Sequence, residues 1–150
     1  KQPGAYAYEQ ALQTVRQLGM ASGSVEEQFR RMVFNIVARN QDDHVKNIAF
    51  LMDRAGNWSL SPAYDVTYSY NPEGAWTGQH QMSLNGKRDG FEFEDFKACA
   101  KTVSLQRNRA AEIVEQVQKI VLEWSAFAAD AGVEEAIAEK ISNTHRTDFL

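Results

Sequence analysis

Between positions 110 and 128 apolar residues return every three or four places: Ala110, Ile113, Val114, Val117, Ile120, Val121, Trp124, Phe127 and Ala128. At 3.6 residues per turn they fall on one stripe of a helix, with Glu112, Glu115, Gln118 and Lys119 on its other faces. The spacing predicts one long helix over 106–130, ended by Gly132. A stripe of this kind is core far more often than cofactor site, so other apolar faces must cover it. Tyr8, Ala11, Leu12, Val15 and Leu18 mark an amphipathic helix stopped by Gly19. Phe29, Met32, Val33, Ile36 and Val37 mark a second that runs to Arg39, behind the capping-box pattern Ser24-Val25-Glu26-Glu27. A short helix is expected over 91–102 after an acidic start, and Val133, Ile137 and Ile141 predict a last one. Residues 143–150 are expected to fray. A chain of 150 residues, 43% of them hydrophobic, fits one domain with a sizeable core.

The chemistry-bearing residues lie where the second helix ends. The run Asn40-Gln41-Asp42-Asp43-His44-Val45-Lys46-Asn47 leads into Ile48-Ala49-Phe50-Leu51. Residues 48–52 suit a short buried strand, Asp53-Arg54-Ala55-Gly56-Asn57 is turn chemistry, and Trp58-Ser59-Leu60 suits the returning strand. Such a hairpin brings Asn47 and Asp65 back to one end, and Pro62 leaves Asp65 on irregular backbone.

An Asp five residues before an Asn, with a second Asp beyond the next strand, is the arrangement of kinase-like phosphotransferases. Phosphoryl transfer places charge on the phosphoryl oxygens, so its catalysis consists of in-line positioning and metal-ion stabilisation. Magnesium takes hard oxygen ligands and needs only one or two from protein, so Asn47 and Asp65 suffice. Asp42 would face a Ser or Thr hydroxyl, and Lys46 could offer its ammonium to the transferring phosphate. The ordinary reading of Asp, Asn and His between elements is turn and cap, because their side chains bond the local backbone. A zinc site is the other alternative, but His44 has no His or Cys neighbour. The position of the loop between helix and strand favours the catalytic reading.

The segment 34–47, together with Leu60-Ser61-Pro62-Ala63-Tyr64-Asp65-Val66 and His80-Gln81-Met82-Ser83-Leu84-Asn85-Gly86-Lys87, resembles the C-terminal domain of HipA-type toxin kinases from about Pro3 onward. The resemblance implies a mostly α fold with a small β-hairpin (α+β), a protein-kinase-like C-terminal lobe. It implies a bacterial serine/threonine kinase of a toxin–antitoxin system that uses ATP and Mg2+. Asp42 would be the catalytic base and Asn47 and Asp65 the magnesium ligands, with His44, Lys46, Asn47, Tyr64 and Asp65 along the nucleotide. The partners implied are a protein substrate, of which aminoacyl-tRNA synthetases are characterised examples, and a DNA-binding antitoxin. DNA would be reached only through that antitoxin. The alternative is an inactive module that keeps the fold and serves as a scaffold in the toxin–antitoxin complex. Small-molecule phosphotransferases share the loop logic but not the match beyond it.

No strand-borne Lys with a helical Glu partner and no glycine-rich phosphate loop precede the catalytic loop. Gly86-Lys87-Arg88 is not a Walker motif, since Gln81 stands where Gly is needed and Arg88 where Ser or Thr is needed. The 150 residues therefore read as one domain excised from a longer protein, a poor enzyme alone. A net charge of −4 argues against a general nucleic-acid binder. Arg30 and Arg31 read as a solvated helix face, and Lys87-Arg88 as a loop a partner could touch. The stretch between Asp65 and Phe91 reads as a long ordered loop, where a kinase would contact its protein substrate. One cysteine, Cys99, forbids an intrachain disulfide and fits the cytoplasm. The apolar runs are too short to span a membrane.

Overall fold

Phe29, Met32, Val33, Ile36 and Val37 have no exposed surface, and they all lie on one face of helix α2 (Ser22–Val37). Burying each contributes about 1.5–3 kcal/mol, so α2 is the axis of the core. The computed structural model describes residues 2–150. Against α2 pack α1 (Tyr8–Gln17) and α4 (Arg107–Leu122), and α3 (Phe93–Thr102) packs on both of those. Helices α5 (Trp124–Asp130) and α6 (Glu135–Ser142) pair with each other. Strands β1 (Phe50–Met52) and β2 (Trp58–Leu60) form an antiparallel hairpin in the register Phe50 to Leu60, Leu51 to Ser59 and Met52 to Trp58. The chain is therefore mostly helical with one two-stranded sheet among the described residues, the α+β class expected. None of these helices is long and apolar enough to cross a membrane.

The hairpin turn rests on Asp53, whose Oδ1 accepts the N–H groups of Ala55 and Asn57. Between β2 and α3 the chain has no regular element, yet His80, Gln81, Met82 and Leu84 are buried, so the expected ordered loop packs onto the core. Asn85 and Gly86 both have positive φ, 50° and 77°, and Leu84 and Lys87 exchange two 2.9 Å backbone hydrogen bonds around them. That is the tight turn that Asn-Gly favours, because asparagine tolerates and glycine freely adopts the left-handed region.

Several expectations are corrected. Helix α2 starts at Ser22 rather than behind Ser24; the Glu27 carboxylate that would complete a capping box instead accepts from Arg30 and Arg31, at 3.2 and 3.0 Å. Arg31 also donates to Ser61 O at 2.9 Å, so it fastens the hairpin exit rather than lying on a purely solvated face. The long helix over 106–130 breaks at Glu123, which ends α4 and begins α5. Past the break Trp124 donates its indole N–H to Ala138 O at 2.9 Å, which turns α5 onto α6 and leaves Ile120 and Phe127 about half exposed. Strand β1 is not buried, since Leu51 and Met52 are exposed. Lys87 pairs with Asp95 at 2.9 Å and Arg88 donates to His80 O at 2.6 Å, so both are engaged within the chain. Residues 143–150 are tied down: Gln118 donates to Thr147 O at 3.0 Å, and the Phe149 ring sits edge-on to Phe96 with centroids 5.0 Å apart.

Candidate active site

The loop leaves α2 through a left-handed residue. Arg39 has φ 60°, and the N–H of Asn40 reaches back to Asn35 O at 2.9 Å, the closing bond of a helix C-terminus that usually employs glycine. An L residue there costs roughly 1–2 kcal/mol. The arginine offsets the cost with its side chain: Nε donates to Thr144 O at 2.8 Å, Nη1 donates to Gln41 Oε1 at 3.1 Å, and the guanidinium lies 4.3 Å from the Tyr70 ring centre.

Residues 40–44 are then neither helix nor strand, and their side chains alternate. Gln41 and Asp43 are buried, while Asp42 between them is half-buried and forms no ion pair among the described residues. Gln41 donates to Thr77 O at 2.9 Å. The Asp42 N–H donates to Ser69 Oγ at 2.9 Å, so the segment beyond the hairpin holds the loop backbone from the other side.

Asp43 is the anchor. Its Oδ2 accepts the Tyr8 hydroxyl at 2.5 Å and the His80 Nδ1 hydrogen at 2.8 Å, and its Oδ1 accepts the Gln81 N–H at 2.7 Å. Asn35 donates to the Tyr8 oxygen at 3.0 Å. Burial, and then the Asp43 charge, push the Tyr8 phenol well above its ordinary pKa, so Tyr8 stays a donor. On the far side of the ring, His80 Nε2 lies 3.0 Å from Arg146 Nη1, and Arg146 also pairs with Asp89. A guanidinium can only donate, so Nε2 is the acceptor and Nδ1 carries the hydrogen given to Asp43. Burial, and then the charge of Arg39, lower the Arg146 pKa to about 10, against the pull of Asp89.

The structure brings Asn47 and Asp65 into contact. Asn47 closes the one-turn helix Val45–Asn47, and its Nδ2 donates to Asp42 O at 3.1 Å and Asp65 Oδ2 at 3.0 Å. Its Oδ1 accepts nothing from the described residues. Asp65 is exposed at φ 54°, a left-handed position that aspartate tolerates better than most side chains. Tyr64 donates its hydroxyl to Lys46 O at 2.6 Å, which links the hairpin exit to the loop. Lys46 is exposed and free of ion pairs among the described residues. His44, Asn47 and Tyr64 line one mainly apolar cavity of about 440 Å³ against Phe34 of α2 and Ile120 of α4. Asp42, Lys46 and Asp65 do not line it. The His44 Nδ1 atom is buried without a partner among the described residues.

No three His, Cys, Asp or Glu side chains gather as a metal cluster among the described residues. One carboxylate beside one carboxamide is a hard oxygen set; it fits magnesium, which takes its remaining ligands from phosphate and water, and not zinc. Asp43, His80, Arg146 and Ser69 are site residues that sequence reasoning passed over. The signal for Asp43 was its place beside Asp42, since in extended backbone one of two neighbours must turn inward.

A helical domain that presents Asp42, Asn47 and the contacting Asp65 on a loop and hairpin anchored to its core defines a class, an α+β domain with an acidic loop site. Residues 1–124 match the HipA-like C-terminal domain family, and the chain belongs to it. Comparisons with curated proteins and with solved structures gave no match.

Proposed function

We propose that this chain is the C-terminal, kinase-like lobe of a bacterial HipA-like serine/threonine protein kinase, one domain of a longer toxin protein. The family membership and the Asn47–Asp65 contact at 3.0 Å, with Asp42 next to it and without an ion pair among the described residues, support the reading. Asp42 accepts the hydroxyl proton of a Ser or Thr as its oxygen attacks the ATP γ-phosphorus, and the bond to the β-phosphate oxygen breaks. Asn47, through the Oδ1 left over when Nδ2 bonds Asp42 O, and Asp65 would hold Mg2+, which when bound would neutralise charge on the phosphates. His44, Lys46 and Tyr64 lie along the nucleotide. The opposing lobe with the phosphate-pairing Lys comes from the rest of the parent. A cytoplasmic protein substrate, of the kind aminoacyl-tRNA synthetases represent, and a DNA-binding antitoxin are the proposed partners.

The test is Asp42→Asn in the intact parent. Phosphoryl transfer should be lost, by a factor of about 10²–10⁴ or more for a missing base. Folding and ATP binding should stay near wild type. Unchanged turnover would sink the assignment.

A further inference from the structure

Residues 143–150 lie beyond the stretch that matches the family, yet they reach the loop. Arg146 donates its backbone N–H to Val37 O at 3.0 Å and its Nη1 to Ile36 O at 3.3 Å, the last turn of α2 from which the loop departs. The same Nη1 meets His80 Nε2 at 3.0 Å, and Nη2 pairs with Asp89. The guanidinium stands 5.4 Å from the Phe91 ring centre, and that ring in turn sits edge-on to His80 at 5.4 Å. Thr144 O accepts from Arg39, so Arg39 from the end of α2 and Arg146 from the segment itself stitch the two together.

We infer that Arg146 is a positioning residue of the proposed phosphoryl-transfer site, fixing through His80 and Asp43 the loop that carries Asp42. The chain of bonds has a direction. The guanidinium donates to Nε2, the ring then donates from Nδ1 to Asp43 Oδ2, and the carboxylate so fixed takes the Gln81 N–H on its other oxygen. Asp42 is the next residue along the backbone, so a displaced Asp43 displaces Asp42. Positioning at this scale matters, because a shift of about 1 Å at a reacting group costs on the order of 100-fold in rate. Simple packing does not explain the choice of residue. The Arg146 side chain is only 11% exposed, and an apolar residue would fill that space without burying a cation beside Arg39.

The link to catalysis rests on the kinase reading, whereas the link to the loop does not, and the test separates them. Arg146→Gln and Arg146→Lys are made in the 150-residue chain and in the intact parent. In the chain, ¹⁵N spectroscopy of the His80 ring should show a protonated Nδ1 and a hydrogen-bonded acceptor Nε2. Arg146→Gln should move the Nε2 resonance toward that of an unbonded ring nitrogen, and should speed exchange of the Gln81 amide by about tenfold or more. In the parent, kcat should fall roughly 100-fold with the KM for ATP nearly unchanged. Arg146→Lys, which keeps one charged donor, should recover part of each effect and serves alone should the Gln variant not fold. An unmoved His80 spectrum overturns the tether. A moved spectrum with unchanged kcat overturns the positioning role. A wild-type parent that transfers no phosphate overturns the kinase reading and the catalytic link with it, and the His80 spectrum still decides whether Arg146 holds the loop.

Discussion

Two aspartates adjacent in sequence should differ widely in what the same substitution costs in stability, and Asp43→Asn tests this most sharply. The Asp43 carboxylate accepts three hydrogen bonds with both oxygens and its side chain is 0% exposed. An amide offers one oxygen and one NH2. If its oxygen takes the place of Oδ1, the NH2 faces the His80 Nδ1 hydrogen. If it takes the place of Oδ2, the NH2 faces the Gln81 N–H. The histidine cannot escape by moving its hydrogen to Nε2, because Arg146 can only donate there. Each bond to a charged acceptor is worth about 1.5–3 kcal/mol, and an unsatisfied buried donor adds its desolvation cost. The expected loss is about 3–5 kcal/mol, as for other broken buried pairs. At about 2–4 °C per kcal/mol for a domain of this size, Tm should fall by roughly 6–20 °C. Asp42→Asn removes a half-buried carboxylate that has no ion pair among the described residues, and should cost at most about 1 kcal/mol. Urea and thermal denaturation of the three chains measure both. A Tm for Asp43→Asn within 2 °C or so of wild type, or equal losses for the two variants, would refute the anchor argument.

Arg39→Gly relieves about 1–2 kcal/mol of left-handed strain but loses two charged hydrogen bonds and the Tyr70 contact, so urea denaturation should show a net loss of about 1–3 kcal/mol; a more stable variant contradicts this. The Asp95 carboxyl is buried, which opposes its ionisation, but bonds from Asn85, the Glu92 N–H and Lys87 prevail and lower its pKa. A lowered folded pKa means stability that is present above the unfolded value near pH 4 and lost as pH falls through the folded one. Asp95→Asn should therefore be less stable at pH 7 and flatter on the acid limb of a stability–pH curve, and an unchanged limb counts against it. The 150-residue chain alone should bind ATP–Mg weakly and transfer no phosphate at a useful rate, because the proposed function assigns the opposing lobe to the rest of the parent. Tight binding by titration calorimetry contradicts that.

What was legible in the sequence was whatever depends on near neighbours. Helices α1 and α2 follow from apolar spacing, and the buried faces are those expected, from Tyr8 to Val15 and from Phe29 to Val37. The hairpin itself follows from the turn chemistry of 53–57. The meeting of Asn47 and Asp65 follows from the hairpin. What failed depends on distant partners. The apolar period runs unbroken through Glu123, so nothing local marks the break that the Trp124 bond to Ala138 accompanies. Residues 143–150 are mostly polar and carry no local pattern, but their partners include Ile36, Val37, Arg39, His80, Phe96 and Gln118. The Asn85-Gly86 turn is the exception, a local signal in a segment whose other contacts are distant.

The contact between Arg146 and His80 also sets an order of events when the protein is made. Tyr8, His80 and Gln81 have all been made before α4 has been synthesised, but the guanidinium that holds the far side of the ring arrives roughly 65 residues after Gln81. At about 5–20 residues per second of translation, that interval is on the order of 3–13 s. Throughout it the nascent chain contains the loop and its three Asp43 partners while the last fastening is absent. A ribosome that stops early releases a product whose loop is unclamped, so the site's geometry reports that the chain has been read through to residue 146.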